Sequence, residues 1–343
     1  MISSRQIMIL QSIIDDYILT GVPVGSRTLS KRMEGSLSSA TIRNEMADLE
    51  DEGYLEQPHT SAGRMPTEKA YRLYVDTLMR VNKLNAEELR TIRKYFSSQM
   101  DEIDNVVATA AKALSDLTHM TSVVIVPELK GLTIKRIQIV RMSGRRALML
   151  IVFANGKVKD EMIDIDESMD DEYLEMLSRV ITERVADVPL EEAVGAVRSL
   201  SDTDMWQHRE FLMKLINAVA ESRDISKEVV FGGAGNILNH PELRDIDKAR
   251  QFLELLDTKD AIYNMFRRAA NMEFTIRIGN ENEFDQLKDM SVVTATYRIG
   301  DRDMGTFGII GPTRMDYGKV VSLMKGISVS MNKIIDNLLA GDK

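Results

Sequence analysis

The stretch Ser38–Leu55, SSATIRNEMADLEDEGYL, constrains the N-terminal part of this chain more than any other. Ile42, Met46 and Leu49 recur at helical spacing, so Ser38–Asp51 reads as a helix with one apolar stripe. Ala40, Thr41 and Asn44 point away from that stripe, and Arg43 lies on its flank. Ser38 or Ser39 can cap the N-terminus, and Gly53 ends the helix. The outward residues of the first turns are small or hydrogen-bonding. Those further along, Asp48 and Asp51, would repel phosphate. Only the N-terminal half therefore suits a nucleic-acid groove, which is how recognition helices usually dock. Taken alone, the segment is better read as an amphipathic helix of any small domain. Its surroundings change that reading.

Residues 5–19 carry Ile7, Leu10, Ile13, Ile14, Tyr17 and Ile18, a second helical stripe. TGVPVGS breaks it, with Pro23 and Gly25 as turn residues. Ser26 is the expected N-cap of a short helix Arg27–Met33, and Gly35 opens the turn before Ser38. Three helices with a Gly-containing turn before the third predict a helix-turn-helix. Tyr54–Gln57 then reads as a strand. PHTSAGRMP turns back toward a second strand, giving a wing over Tyr54–Met65; the plain alternative is an ordinary solvated hairpin. The candidate DNA-contacting set is Arg27, Ser38, Ser39, Ala40, Thr41, Arg43, Asn44, His59, Thr60, Ser61 and Arg64. Thr41, Arg43 and Asn44 are candidates for base edges, since Arg suits guanine and Asn suits adenine. Ser38, Ser39, Thr60 and Arg64 suit phosphate or sugar.

Charge decides how such a head would bind. The whole chain carries a net charge of −9, which excludes a generally basic nucleic-acid coat. The first 75 residues hold eight Lys or Arg and ten Asp or Glu. Arg27, Lys31, Arg32, Arg43 and Arg64 nevertheless fall on or beside the proposed DNA face. That placement predicts modest non-specific binding and a strong need for a matched site.

Beyond the wing, Thr67–Val81 reads as a helix. Ala86–Leu117 keeps three- and four-residue steps throughout, as a long connector that packs on a partner chain or as a core helix of the next domain. From Thr121 the pattern is strand-like through SVVIVP, IKRIQIVRM, RALMLIVFA and KVKDEMIDI, with hairpin turns at Ser143-Gly144 and Asn155-Gly156. Helices are expected at Asp170–Val185, Leu190–Leu200, Thr203–Arg223 and, as a pair broken near Asp257, over Asp247–Ala269. Strands return at 274–279, 292–299 and 305–311, and a helix closes the chain from Met315 to Leu339. This order suggests an α+β domain interrupted by an insertion.

No catalytic or cofactor chemistry stands out. The chain has no Cys, its four His show no metal-ligand spacing, and Gly232–Gly235 matches neither phosphate-binding glycine pattern. No catalytic, cofactor-binding or metal site is therefore expected, and the chain is not expected to be an enzyme. No apolar run approaches the ~20 residues of a membrane span, and Asp15 and Asp16 stand where a secretory signal needs small residues. A cytoplasmic protein without a membrane partner is expected.

GVPVGSRTLSKR (21–32), the block SSATIRNEMADLEDEGYLEQPHTSAGRMPTEKAYRLYVD (38–76), RALMLIVFANGKVKDEMIDI (146–165), IGNEN (278–282) and MGTFGIIGPTRMDY (304–317) resemble the heat-inducible transcription repressors of the HrcA family. The similarity covers nearly the whole chain. It implies an α+β multidomain protein: an N-terminal winged helix-turn-helix, then a GAF-like α+β domain with an inserted α/β dimerisation domain. Mapped onto this chain, these are residues 1–80 for the winged helix and 81–120 for a connecting helix. Residues 121–154 and 271–343 make the GAF-like domain, and 155–270 the inserted domain. The resemblance further implies a homodimer that represses chaperone genes from the inverted-repeat CIRCE operator on double-stranded DNA, under the control of a GroEL-type chaperonin. The competing expectation is a metabolite-sensing winged-helix repressor with a small molecule in the GAF-like domain.

Overall fold

The chain forms two contact units, and one interrupts the other: Met1–Ile125 with Val229–Lys343, and Val126–Glu228. The computed structural model describes residues 2–59, 62–97, 103–126, 133–154, 156–199, 209–221, 228–240, 245–269, 273–299 and 303–341. The architecture is mixed α and β, as the alternating patterns predict.

The discontinuous unit begins with α1 (Ser4–Thr20). Ser3 and Gln6 form a capping box at its start, and Gly21, at φ 64°, ends it by donating to the Tyr17 carbonyl. The helices α2 (Ser26–Arg32) and α3 (Ser39–Asp51) follow. Ile9, Leu10, Ile13 and Ile14 of α1 are buried, as are Leu29 of α2 and Ile42, Met46 and Leu49 of α3. The two-residue strands β1 (Leu55–Glu56) and β2 (Met65–Pro66) pair antiparallel, Leu55 opposite Pro66. An isolated bridge ties the hairpin back to the turn before α2: Val24 N–H donates to the Arg64 carbonyl at 2.8 Å, and Arg64 N–H to the Val24 carbonyl at 2.9 Å. Gly63 is needed there, because a Cβ would sit 2.4 Å from the Val24 carbonyl.

The helix expected over Thr67–Val81 changes pitch. It runs as α4 (Glu68–Leu73), capped by Thr67, then as a π turn over Tyr74–Leu78 closed by Met79 N–H on the Tyr74 carbonyl. The single long helix expected over Ala86–Leu117 is two helices, α5 (Ala86–Tyr95) and α6 (Ile103–Thr118). They fold back on each other: Tyr95 Oη donates to Asp116 Oδ2 at 2.7 Å, whereas one straight helix would hold these residues ~30 Å apart. Both helices pack on the C-terminal helix of the same unit. The core-helix alternative therefore describes them, rather than the connector.

The remaining elements of this unit are β3 (Thr121–Val126), then, after the second unit, β7 (Glu228–Gly232), α10 (Ile246–Asp257), α11 (Lys259–Arg267), β8 (Phe274–Ile278), β9 (Met290–Ile299), β10 (Asp303–Pro312) and α12 (Tyr317–Gly341). Their strands form one five-stranded sheet in the order β7-β3-β10-β9-β8. α10 and α11 bury Phe252, Ile262 and Phe266 against Val123, Ile125, Val292 and Ile310. α6 and α12 pack on each other and against β9 and β10. Close contacts on β10 explain its glycines. A Cβ at Gly305 would meet the Tyr297 ring at 2.1 Å, and one at Gly308 the Phe266 ring at 2.7 Å. The chain's own aromatic rings fill those spaces.

The interrupting unit is a three-stranded antiparallel sheet, β4 (Ile134–Ser143), β5 (Arg146–Phe153) and β6 (Val158–Asp164), followed by α7 (Asp171–Val185), α8 (Leu190–Arg198) and α9 (Arg209–Glu221). One face of the sheet is buried on the helices through Ile137, Ile139, Met149, Ile151, Phe153 and Ile163. Ser178 and Thr182 of α7 satisfy the free edge of β4, their hydroxyls accepting the Ile139 and Ile137 amides at 2.9 and 3.0 Å. These contacts shift the sequence-based boundaries. The expected split placed 121–154 with the C-terminal strands and began the insertion at 155. The contacts instead begin it at 126 and end it at 228. The reason is pairing: β5 hydrogen-bonds to β4 and β6, so a cut at 154–155 would divide a hairpin. Likewise β7, α10 and α11 belong to the five-stranded sheet and its helices.

Candidate nucleic-acid interface

The geometry starts at the junction of α2 and α3. Ser38 is the N-cap of α3, its Oγ accepting the Thr41 N–H at 3.0 Å and lying 2.9 Å from Thr41 Oγ1. Ser39 Oγ lies 3.2 Å from Ser26 Oγ, linking the first turns of the two helices. Ser26 is thus the first residue of α2, and Gly25 holds the N-cap position expected for Ser26 without a side-chain bond.

From this anchored start, α3 exposes Ala40, Arg43 and Asn44 to solvent, with Ser39 and Thr41 half-buried beside them. Ala47, Asp48 and Asp51 continue the exposed face. Arg27 is exposed at the start of α2, and Lys31 near its end. Among the described residues, none forms an ion pair with Arg27, Lys31 or Arg43. The face thus offers cations, an amide and small side chains at the N-terminal half of α3, and carboxylates only beyond it. A guanidinium and a carboxamide free on one helix face can make paired hydrogen bonds to base edges.

Two of the expected cations are otherwise engaged. Arg64 Nε donates to Glu50 Oε2 at 2.7 Å, and its side chain is only 21% exposed. It ties the hairpin to α3, and its expected phosphate contact would cost that pair. Arg32 pairs with the buried Asp16 at 2.6 Å, joining α2 to α1. The pairing of Arg64 with Glu50 is invisible in the sequence, because it depends on where the hairpin folds back. Gly63, in close contact with the Val24 carbonyl, is the residue whose importance could have been suspected from its place in the turn. His59 is exposed at the tip of the β1–β2 loop. Thr60 and Ser61 lie outside the described residues.

Comparison with known proteins places this architecture. The family model for the HrcA protein C terminal domain matches residues 104–321. The heat-inducible transcription repressor HrcA of Oceanobacillus iheyensis is 41% identical, covering all of both chains. That of Acetivibrio thermocellus is 39% identical over 99% of this chain and 98% of its own. A crystal structure described as that of a hypothetical protein superposes with a TM-score of 0.68 over 98% of this chain and all of its own, at 23% identity, a likeness of fold. With relatives of this identity matched end to end and a family model covering more than half of its length, the chain belongs to the HrcA family of heat-inducible transcription repressors.

Proposed function

We propose that this chain is a heat-inducible transcription repressor whose winged helix-turn-helix, α1 to β2, binds the inverted-repeat CIRCE operator. The observation that carries this reading is α3, anchored at Ser38 and Ser39 and exposing Ala40, Arg43 and Asn44. On this reading the five-stranded sheet and its helices are the GAF-like domain. The unit from 126 to 228 dimerises the chain, so that two heads meet two half-sites. Its sheet supports that role: the face away from the helices carries the cross-strand row Val140, Leu148 and Met162, with Val152 opposite Val158. Val140, Val158 and Met162 are 40%, 54% and 50% exposed. An apolar sheet face open to solvent is the kind of surface a second copy covers.

Release from DNA on heating is part of the proposal and is supported by relatives described as heat-inducible repressors. Control by a GroEL-type chaperonin is also part of the proposal and is what the family resemblance implies. The rival, a small molecule held in the GAF-like domain, is less well supported, since Tyr297 and Phe266 occupy the spaces over Gly305 and Gly308. Among the described residues, no helix is long and apolar enough to cross a membrane.

A gel shift tests the function. The protein should retard a CIRCE duplex in preference to a scrambled duplex at the same stated salt, and more completely when chaperonin is present. Equal retardation of both duplexes would overturn the operator-binding function.

A further inference from the structure

The segment Ile278–Asn282 lies far along the chain from the DNA-reading helix, yet it grips the same module. Gly279 takes φ 54°, and a Cβ there would lie 1.9 Å from the Glu68 carboxylate of α4. That close approach lets Asn280 donate both its backbone N–H and its side-chain amide to Glu68 Oε2, each at 3.1 Å. Glu281 receives Arg72 of α4 in a two-pronged pair. Arg72 Nε donates to Oε1 at 2.8 Å, and Nη2 to Oε2. Glu281 Oε2 also accepts the Ile278 N–H at 2.8 Å, and Arg72 Nη2 reaches the Ile276 carbonyl at 2.7 Å. The buried Asn282 fixes the loop from inside, its amide donating to the carbonyls of Gly279, Leu287 and Met290. Partial burial pushes the Glu281 carboxyl up, but its bonds from Arg72 and the Ile278 amide outweigh this and hold it below the usual range.

α4 carries the grip onward. Thr67 Oγ1, at its N-cap, donates to the Gly53 carbonyl at 2.8 Å, and Lys69 Nζ to the Glu52 carbonyl at 2.8 Å, both just past the end of α3. Behind α4, the Tyr71 ring sits 6.1 Å from that of Tyr317. The following residues lie along α12 where its side chains are small: a Cβ at Gly318 would meet the Arg80 carbonyl at 2.6 Å, and Ser322 Oγ donates to the Asn82 carbonyl at 2.6 Å. A contiguous set of bonds thus runs from 278–282 through α4 to the end of α3.

We propose that the 278–282 loop is a positioning clasp for operator recognition, in which Asn280 and Glu281 set the angle at which α3 is presented and so select the spacing between half-sites, without touching DNA. The proposal rests on the operator-binding function above. Arg72 and Glu281 are positioning residues, since they act through α4. Half-site spacing is a geometric property of the two heads, so freeing their angle should broaden it.

The test uses the full-length protein, CIRCE duplexes with native and altered half-site spacing, and a random duplex. Glu281→Ala and Arg72→Ala should each lose about tenfold on the native duplex, the scale of a modest coupling between sites. Both should keep wild-type affinity for random DNA and discriminate less between spacings. The double variant should be no worse than either single, because the pair acts as a unit, and Glu281→Gln should fall between. Asn280→Ala, which leaves the backbone bond to Glu68, is the milder variant should the others fail to fold. Unchanged operator affinity, an equal fall on random DNA, or a fall with the spacing preference intact would each overturn the clasp alone. A wild-type protein with no operator preference would overturn the DNA-binding function, and the clasp with it.

Discussion

At the scale of single residues, the reading head separates into side chains held by the protein and side chains left for a partner. Arg64 and Arg32 belong to the first group, paired with Glu50 and Asp16. Arg43 and Asn44, exposed on α3, belong to the second. Arg43→Ala should therefore weaken operator binding by about 1–3 kcal/mol, the value of a good paired contact to a base, while random DNA loses far less. Titration of both duplexes at one salt concentration measures this, and equal losses would remove Arg43 from base reading. The sequence showed which residues face outward on α3, because three buried positions fix its phase. It could not separate Arg64 from Arg43, since both are arginines near a helix and only the folded hairpin brings Glu50 to one of them.

At the scale of elements, local signals carried well where they end an element and poorly where elements meet. Ser38 caps α3 and Gly53, at φ 77°, follows its end, as residue type alone suggests, although the cap expected at Ser26 falls to Gly25. The three- and four-residue period from Ala86 to Leu117 was real, but a period does not record a reversal of direction, so α5 and α6 read as one helix. Strand pairing was hidden for a similar reason: β3 to β6 are consecutive and alike in composition, yet β3 joins one sheet and the other three another. The hairpin after α3 depends on Gly63. Gly63→Ala would drive a methyl into the Val24 backbone, which cannot swing aside as a side chain could. The expected cost is roughly 1–3 kcal/mol, typical of overpacking. Hydrogen exchange should report it locally, as faster exchange of the Val24 and Arg64 amides that bond across this bridge. Unchanged protection at both amides would show that the hairpin tolerates the methyl.

At the scale of the whole molecule, two features of the interrupting unit matter. The first is the open face of its sheet. The paired change Val140→Asp with Met162→Asp puts charge on an apolar row that is already partly in water. The unit should stay folded, while sedimentation should show monomers and operator affinity should fall. A dimer that survives both changes would place the dimer contact elsewhere. The second feature is where the unit is spliced. Ser122 Oγ donates to the Gly232 carbonyl at 3.4 Å, and Thr121 Oγ1 to that of Gly233 at 3.3 Å, so β3 and β7 run antiparallel, and the interruption leaves and re-enters the sheet at one end. This has a consequence in time. β3, TSVVIV, is buried at every residue, and its neighbours are β7, about a hundred residues later, and β10, about 180 residues later. At ~5–20 residues per second of synthesis, β3 leaves the ribosome roughly ten to forty seconds before β10 exists to pair with it. Until β7 is made both edges of this apolar strand are unpaired, and until β10 is made one edge still is, so the segment stays open to any protein that binds such strands; the interruption accounts for more than half of that interval.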